Sequence, residues 1–324
     1  MYLVLDGGTT HTRMRLIRKN RKLIDEKKLS LGIRDVAIEG TKKRFIHELE
    51  KEMKAFLEKN DFSVSDVSAV VSSGMLTSNL GIYEVPHLIA PVTNESLAKG
   101  TVITKWEGFG DVPFMWIPGV RTEGEELDQK DVMRGEEVET LGLIQQRPLD
   151  GAGLMILPGS HTKYVGVTEG TINYSYTTLG GEMMRAVEKE TILANSIDDT
   201  LIEEVDQSYL EAGFRAARDV GLLRSLFHIR LLHLEGQATA NQRANYLAGA
   251  VVSEDVRVIE KMEKVEWIMV GGSNPLRSVF THLLPNVVSE GIPILEADES
   301  ESERATLEGA LTIIEEWNKQ EASQ

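Results

Sequence analysis

The chain has 324 residues, 41% of them hydrophobic and 27% charged, and it has no cysteine. This length allows two domains with buried cores, and the lack of cysteine excludes disulfides, thiol catalysis and cysteine-ligated metals. The formal net charge of −16 repels polyphosphate backbones, so we expect no nucleic-acid partner. Anionic small ligands must therefore be bound by local donors in glycine-rich turns or at helix N-termini.

No run in the sequence approaches the roughly 18 apolar residues of a membrane helix. The segment Met1–Asp6 is apolar and lacks the basic region and cleavage site of a signal peptide. We therefore expect a cytoplasmic protein with no membrane association.

Short apolar runs separated by turns open the chain. They predict strands over Met1–Asp6, Arg13–Ile17 and Leu23–Leu31. Apolar residues at helical spacing then predict a helix over Thr41–Lys59.

The middle of the chain repeats this opening and divides it into predicted domains 1–150 and 151–324. Three further strands are predicted, over Leu154–Leu157, Lys163–Val167 and Ile172–Thr177. Superposing the two copies places Leu5-Asp6-Gly7 on Leu157-Pro158-Gly159 and Thr10 on Thr162. Each copy predicts a meander of three strands with a small, hydroxyl-rich first turn, although chance can also produce one such similarity in a chain of this size.

The last part of the chain alternates helices with short strands. Helices are predicted in the region 202–264, and a buried strand follows at Trp267–Val270. Asn274 is a predicted N-cap with Pro275 as the first helical residue, and the closing helix is predicted over Ser302–Trp317. The alternation of strands and helices indicates an α/β protein.

A first candidate ligand site follows the first strand. Gly7 and Gly8 let the backbone approach phosphate oxygens, and the hydroxyls of Thr9 and Thr10 add donors. Asp6 can hold a hydrated Mg²⁺, and Arg13 either neutralises a terminal phosphoryl group or lies on the surface. The alternative is a plain β-hairpin with a glycine turn.

Two further turns carry possible donors. The turn after Pro158 combines backbone amides with the side chains of Ser160, His161, Thr162 and Lys163. Gly271, Gly272 and Ser273 follow a predicted strand, where glycines let a base or ribose lie against the backbone. They lack the spacing of a dinucleotide-binding fold and the lysine of a P-loop.

The segment Asp131–Glu137 places Arg134 beside acids that can accept a proton. From spacing alone, the better interpretation is a helix start whose first acids complement the helix dipole. Ser73–Asn79 and Gly180–Glu182 are either donor loops or plain turns.

Together these segments resemble the actin/hexokinase ATPase superfamily. Its Asp-x-Gly-Thr-Thr pattern matches Asp6–Thr10, its second phosphate turn matches Gly159–Lys163, and its adenosine motif matches Gly271–Ser273. The resemblance implies an α/β fold of two ribonuclease H-like domains, with ATP in the interdomain cleft.

The chain is more closely similar to the 2-keto-3-deoxygalactonate kinases (2-dehydro-3-deoxygalactonokinases). That family carries a Val-Met-Arg-Gly-Glu-Glu segment, here Val132–Glu137, and a Pro-Gly-Ser/Thr-His-x-Lys turn, here Pro158–Lys163. Further matches lie at Gly74-Met75, Ser78-Asn79, Ile117–Gly119 and Gly181-Glu182. The resemblance covers essentially the whole chain, and it implies Mg²⁺-dependent transfer of the γ-phosphoryl group of ATP to the C6 hydroxyl of 2-keto-3-deoxygalactonate in galactonate degradation.

The resemblance also implies roles for individual residues. Asp6 is expected to bind Mg²⁺, and Arg134 to bind the substrate carboxylate. Because Pro158 stands where a second aspartate would match Asp6, we expect Glu136 to be the base, ahead of Glu182 and Asp131. The other expected ATP-binding residues are Gly7, Gly8, Thr9, Thr10, Arg13, Ser160, His161, Thr162, Lys163, Gly271, Gly272 and Ser273, and the other expected substrate-binding residues are Ser78, Asn79 and Glu182.

The expected partners are ATP and a sugar acid, with a homodimer as a further expectation. Two alternative functions stay open. A sister kinase for a hexose or ketose would share the ATP site and differ in its substrate loops. An actin-like or chaperone-like ATPase would share the fold, but the chain is short and carries no appended peptide-binding domain.

Overall fold

A computed structural model describes residues 1–197, 202–262 and 264–322. The chain forms two compact units. The first unit contains Met1–Leu149, Glu169–Ser175 and the described part of Glu303–Gln324, and the second contains the described parts of Asp150–Thr168 and Tyr176–Ser302. The predicted division at 150/151 differs from this packing, because the closing segment belongs with the first unit. As a division into functional domains it stays a prediction.

The first unit is built on a six-stranded sheet and a small three-stranded sheet. Its strands are β1 (Tyr2–Gly7), β2 (Thr12–Ile17), β3 (Leu23–Leu29), β4 (Ala69–Gly74), β5 (Leu88–Ile89), β6 (Val102–Lys105), β7 (Pro113–Trp116), β8 (Val120–Thr122) and β9 (Asp131–Met133). Its helices are α1 (Ile33–Glu39), α2 (Lys43–Lys59), α3 (Asn94–Gly100) and α4 (Glu136–Gln146).

The order of the large sheet is β3-β2-β1-β4-β7-β6, and the small sheet has the order β5-β8-β9. β1, β2 and β3 form the predicted antiparallel meander, and β4 joins β1 in parallel. In this register Gly7 pairs with Gly74, so β1 and β4 end at the same edge of the sheet. Loops at that edge can therefore form a site.

One face of the large sheet packs on the predicted amphipathic helix. The buried face of α2 presents Phe45, Leu49, Met53 and Phe56, and these contact the same core as Leu3 and Leu5 of β1. The helix begins at Lys43, two residues later than predicted.

Within the described residues, the second unit contains most of a five-stranded sheet and five α-helices. The strands of this sheet are β10 (Ala152–Leu157), β11 (Thr162–Thr168), β12 (Thr171–Thr178), β13 (Trp267–Val270) and β14 (Ile294–Glu296), in the order β12-β11-β10-β13-β14. The part of β12 up to Ser175 belongs to the first unit. The helices of the second unit are α5 (Gly180–Glu190), α6 (Gln207–Val220), α7 (Leu222–Leu234), α8 (Ala240–Asp255) and α9 (Leu276–Leu283). β10 is antiparallel to β11 and parallel to β13, which repeats the arrangement around β1.

Two glycines bring α6 and α8 into close contact. A Cβ on Gly213 would lie 2.0 Å from the carbonyl oxygen of Tyr246, and one on Gly249 would lie 1.9 Å from that of Leu210. The helices therefore touch along their backbones, and α8 ends at Asp255.

The final helix, α10 (Glu299–Ala322), is longer than predicted. Its residues from Glu303 onward belong to the first unit, where buried Arg15 of β2 donates to the carbonyl of Glu303 (2.6 Å) and the hydroxyl of Thr306 (3.0 Å). A Cβ on Gly142 would lie 1.7 Å from the carbonyl oxygen of Ala305, so α4 and α10 also pack closely.

The predicted start of α9 is wrong by one residue. Pro275 occupies the N-cap position and the helix begins at Leu276. Asn274 still serves the helix start, because its side-chain oxygen accepts a hydrogen bond from the hydroxyl of Ser278 (2.8 Å).

Candidate active site

The first turn joins β1 to β2 and leaves backbone amides exposed. The amide of Gly8 donates to the carbonyl of His11 (2.8 Å), which closes the turn. Thr9 and Thr10 are exposed, and within the described ranges the structure records no hydrogen bond from either of their amides. Adjacent free amides of this kind can bind an anion.

Helix α1, which the sequence did not predict, supports this turn. The carbonyls of Gly8 and Thr9 accept hydrogen bonds from the amides of Ile33 (3.3 Å) and Arg34 (2.8 Å). A Cβ on Gly32 would lie 2.3 Å from the carbonyl oxygen of Thr9, so the close approach requires glycine. The helix therefore binds the carbonyls of the turn.

Asp6 stands near the end of β1, opposite Arg13 of β2. In the described part of the chain its carboxylate has no recorded hydrogen bond or ion pair. Arg13 instead approaches Glu26 of β3, with 3.5 Å between Nε and Oε1. The carboxylate of Asp6 is therefore available to a ligand, whereas the charge of Arg13 is partly neutralised.

Three glycines bring the start of α4 to the ends of β1 and β4. A Cβ on Gly74 would lie 2.4 Å from the carbonyl oxygen of Gly7, and one on Gly135 would lie 3.2 Å from the Cα of Gly74. Because Gly7 follows Asp6 and Gly135 precedes Glu136, two of the predicted site segments meet within the first unit.

The guanidinium of Arg134 binds the loop that follows β4. Its Nη1 donates to the carbonyl (2.6 Å) and hydroxyl (2.7 Å) of Thr77, and its Nη2 donates to the carbonyl of Val85 (2.8 Å) and lies 3.2 Å from the ring nitrogens of His87. Burial lowers the pKa of Arg134, and nearby Glu137 opposes this. A substrate carboxylate could bind both terminal nitrogens only by replacing these contacts, so the predicted substrate role of Arg134 stays a prediction.

The adjacent carboxylates Glu136 and Glu137 have different environments. Glu136 is half-buried, and its Oε2 accepts a hydrogen bond from the amide of Arg134 (3.0 Å). Glu137 is fully buried, and its two oxygens accept from the amide of Gly135 (2.9 and 2.8 Å). Burial, with a contribution from Glu136, raises the pKa of Glu137 to about 8. Glu137 is therefore mainly protonated at neutral pH.

The remaining predicted site residues of the first unit have different surroundings. The hydroxyl of Ser78 donates to the carbonyl of Met75 (2.7 Å) and accepts from the amide of Gly81 (3.1 Å), so it is bound within its own turn. Asn79 is exposed. Asp131 lies in β9, within the small sheet.

The second turn, between β10 and β11, contacts the start of α5. The amide of Glu182 donates to the carbonyl of Ser160 (2.8 Å), and the carboxylate of Glu182 lies 2.9 Å from Nε2 of His161. A Cβ on Gly181 would lie 1.9 Å from the carbonyl oxygen of Gly159. Two predicted segments therefore form one cluster, in which Glu182 is paired with His161.

Thr162 and Lys163 lie in β11 and point their polar atoms at other protein groups. The hydroxyl of Thr162 donates to Asp255 (3.0 Å), and Nζ of Lys163 donates to Thr177 (2.6 Å). Thr162 is the buried first residue of its strand, as Thr12 is in β2. Thr10, with which the sequence superposition matched Thr162, is instead exposed within its turn.

The third predicted segment lies against the second turn. The amide of Gly271 donates to the carbonyl of Ile156 (2.8 Å). Gly272 has a φ of 74°, and a Cβ there would lie 2.7 Å from the carbonyl oxygen of Pro158. Ser273 is exposed. Within the second unit, all three predicted segments therefore meet.

A family model described as 2-keto-3-deoxy-galactonokinase matches residues 6–312, a span that contains all these turns. The chain belongs to the 2-keto-3-deoxy-galactonokinase family. The resemblance drawn from Val132–Glu137 and Pro158–Lys163, and with it the prediction of a sugar kinase, is confirmed.

Two relatives of this family member can be compared by sequence. The 2-dehydro-3-deoxygalactonokinase of Escherichia coli (strain K12) is 29% identical over 189 residues, which are 58% of this chain and 60% of that protein. That match spans less than two thirds of the relative's length. A candidate 2-dehydro-3-deoxygalactonokinase of Rhizobium meliloti (strain 1021) is 24% identical over 325 residues, and the match covers 97% of each chain.

Solved structures share the fold. A candidate 2-dehydro-3-deoxygalactonokinase from Sinorhizobium meliloti has a TM-score of 0.77 at 21% identity, covering 97% of this chain and 99% of that chain. The activator of the 2-hydroxyisocaproyl-CoA dehydratase from Clostridium difficile, solved with bound ADPNP, has a TM-score of 0.53 at 12% identity, covering 99% and 97%. The predicted α/β fold class is confirmed.

Three buried charged residues of this 2-keto-3-deoxy-galactonokinase family member were missed by sequence reasoning. Glu137 accepts from the amide of Gly135, Asp255 accepts from Thr162, and Arg277 donates to the carbonyl of Gly272 (3.0 Å). The partners of Asp255 lie far away along the sequence, and nothing distinguishes Glu137 from Glu136 in the sequence. Arg277 follows a glycine turn at a helix start, which was the one available signal.

Proposed function

We propose that this chain transfers the γ-phosphoryl group of ATP to the C6 hydroxyl of 2-dehydro-3-deoxygalactonate, in galactonate degradation. The observation that carries this proposal is the family match over residues 6–312. The names of the Escherichia coli and Rhizobium meliloti relatives support the same substrate.

In this proposal the first turn binds phosphate oxygens of ATP. The free amides of Thr9 and Thr10 and the hydroxyl of Thr9 supply donors, and the glycines Gly7 and Gly8 carry no side chain that would block the phosphate. The hydroxyl of Thr10 lies 2.9 Å from Nδ1 of His11 and would exchange this contact for a phosphate oxygen. Arg13 adds a positive charge, which Glu26 moderates. Phosphoryl transfer depends mainly on such positioning and charge neutralisation.

Asp6 is proposed to hold Mg²⁺. Its carboxylate has no recorded partner in the described ranges, and those ranges contain no group of three acidic or histidine side chains that could hold a metal without other ligands. A single carboxylate fits Mg²⁺, which keeps several waters and takes phosphate oxygens as ligands. When bound, Mg²⁺ neutralises charge on the β- and γ-phosphates.

In the second unit, Ser160 and His161 are proposed to contact phosphate, and Gly271, Gly272 and Ser273 to contact adenosine. The support is that the second turn and the Gly271–Ser273 segment adjoin, with Gly272 directly against Pro158. Thr162 and Lys163 contribute from behind the turn, since their polar atoms contact Asp255 and Thr177.

On the substrate side, Arg134 holds the loop that carries Ser78 and Asn79. We propose that exposed Asn79 contacts the sugar acid and that Ser78 shapes its turn.

We further propose that the protein is located in the cytoplasm and forms a homodimer. Sedimentation of the purified protein tests the homodimer. None of the helices in the described ranges has the length and apolar character needed to cross a membrane.

Glu136 is the proposed base, ahead of Glu182 and Asp131. One of its oxygens accepts from the amide of Arg134, which orients the carboxylate and leaves the other oxygen for the substrate hydroxyl. Glu182 already contacts His161.

Glu136→Gln tests this role. We expect kcat to fall about 100-fold or more, because general-base catalysis contributes roughly that factor, while the KM for ATP stays near the wild-type value. Glu182→Gln is the matched comparison. Normal turnover in Glu136→Gln combined with lost turnover in Glu182→Gln would instead make Glu182 the base.

Substrate choice is tested with a panel of sugars and product analysis. We expect a phosphorylated product from 2-dehydro-3-deoxygalactonate, with the phosphate located at C6 by NMR, and none from neutral hexoses or ketoses. Turnover of a hexose in preference to the acid would identify a sister kinase. Sugar-independent ATP hydrolysis with sedimentable polymers would indicate an actin-like ATPase.

A further inference from the structure

Asp255 places a buried carboxylate behind the second turn. It is the last residue of α8 and is 6% exposed. Its Oδ2 accepts a hydrogen bond from the hydroxyl of Thr162 (3.0 Å), and its Oδ1 accepts from the hydroxyls of Tyr164 (3.0 Å) and Thr178. All of these residues belong to the second unit.

Two of the three hydroxyls lie next to loops of the candidate site. Thr162 begins β11 directly after the turn that carries Ser160 and His161, and Thr178 ends β12 just before the start of α5. Tyr164, in contrast, lies inside β11. One carboxylate therefore joins the end of the turn to the segment that leads into α5.

The glycines at the start of α5 fit this arrangement. A Cβ on Gly180 would lie 2.0 Å from Oδ2 of Asp255, and one on Gly181 would lie 1.9 Å from the carbonyl oxygen of Gly159. The N-terminal residues of α5 thus lie between the carboxylate of Asp255 and the second turn. We therefore expect displacement of Asp255 to loosen the start of α5 and the second turn together.

The chemistry of the contacts makes them directional. A carboxylate accepts hydrogen bonds only, so Thr162 and Thr178 donate their hydroxyl protons to Asp255. Burial raises the pKa of Asp255, and hydrogen bonds from Thr178, Thr162 and Tyr164 oppose that shift. Thr162 therefore has no hydroxyl proton left for a phosphate oxygen.

We propose that Asp255 is a positioning residue for nucleotide binding, which acts through Thr162 and Thr178 to hold the second turn and the start of α5 in their ligand-binding arrangement. The inference rests on the proposed function insofar as the second turn is taken to contact the phosphates of ATP. A merely structural Asp255 would stabilise the unit without affecting nucleotide affinity.

The test measures the Kd for ADP by calorimetry alongside the melting temperature. Asp255→Asn and Thr162→Val should each weaken ADP binding about tenfold, as expected from losing a hydrogen bond to a charged group. Tyr164→Phe is the matched control, because it removes a hydroxyl from the same carboxylate away from the turn. It should lower the melting temperature and leave the Kd within about twofold.

The double variant Asp255→Asn with Thr162→Val should have a Kd for ADP no higher than that of the single variant with the higher Kd. The reason is that both changes break the same hydrogen bond. If Asp255→Asn does not fold, the comparison of Thr162→Val with Tyr164→Phe decides the question. The proposal would be overturned if Thr162→Val and Asp255→Asn lost as much stability as Tyr164→Phe and kept the wild-type Kd for ADP.

Ser160→Ala separates this inference from the proposed function. If Ser160→Ala weakens ADP binding and Asp255→Asn does not, the turn contacts phosphate but Asp255 does not position it. If neither variant changes the Kd, the second turn is not a phosphate site, and the inference fails together with that part of the proposed function. Because the readout is ADP binding, a wrong choice of sugar leaves the test intact.

Discussion

At the scale of single residues, the two neighbouring acids at the start of α4 differ in what surrounds them. Glu136 keeps contact with solvent, whereas Glu137 is fully buried and has a pKa raised to about 8. Two adjacent glutamates look equivalent in a sequence. Which one enters the core is decided by packing between distant parts of the chain, and Gly135, just before the two acids, lies against Gly74.

Glu137 should make folding stability depend on pH. Between pH 4.5 and about 8 its carboxyl group is ionised in the unfolded chain and protonated in the folded chain, so unfolding releases a proton. Raising the pH through this interval should therefore lower the free energy of unfolding by about 1.4 kcal/mol per pH unit from this group alone. Glu137→Gln removes the effect, and urea unfolding across the interval measures it.

The expected result is that wild type loses stability relative to Glu137→Gln as the pH rises, with a constant difference above the folded-state pKa. Parallel stability profiles for the two proteins would show that Glu137 is ionised in the folded state.

At the scale of elements, the spacing of apolar residues predicted those strands and helices that are long enough to show it. Both strand meanders and α2 were predicted, because apolar alternation and helical spacing are visible within a few residues. The small sheet was missed, since β5 has two residues and β8 three, too few for a pattern. The turns of the site were predicted, but not the carboxylates behind them, because Thr162 and Asp255 are 93 residues apart.

The start of α5 offers a prediction about how two elements meet. Within a helix, Gly→Ala ordinarily stabilises by about 1 kcal/mol. Gly181→Ala should instead destabilise by about 1–3 kcal/mol, since its Cβ would lie 1.9 Å from the carbonyl oxygen of Gly159. It should also weaken ADP binding, because the second turn would have to move.

Gly291→Ala is the control for this change. Gly291 has a φ of 92° and no atom within 4 Å of its Cβ position, so alanine there incurs only a backbone cost of about 1–2 kcal/mol. Chemical denaturation and ADP calorimetry of both variants provide the comparison. An ADP affinity reduced equally in both would show that the contact between Gly181 and Gly159 has no specific role.

At the scale of the whole molecule, the packing of α10 shows what sequence order conceals. The sequence suggests halves of similar length, yet the helix from Glu303 onward belongs to the first unit, where Arg15 and Gly142 contact it. Such long-range packing leaves no signal in a linear pattern. The family, in contrast, could be predicted from the sequence, because short motifs such as Val132–Glu137 carry the resemblance directly.

The central claim is that ATP is consumed only when the sugar acid accepts its phosphoryl group, with Asp6 essential to the reaction. The most direct test measures ADP release by the purified protein with and without 2-dehydro-3-deoxygalactonate. The assay compares wild type with Asp6→Asn and with the control Asp111→Asn, because the side chain of Asp111 is 95% exposed. We predict ADP release that requires the sugar acid in wild type and Asp111→Asn, and a loss of about 100-fold or more in Asp6→Asn. ADP release at the same rate without the sugar acid, or unchanged in Asp6→Asn, would contradict the account.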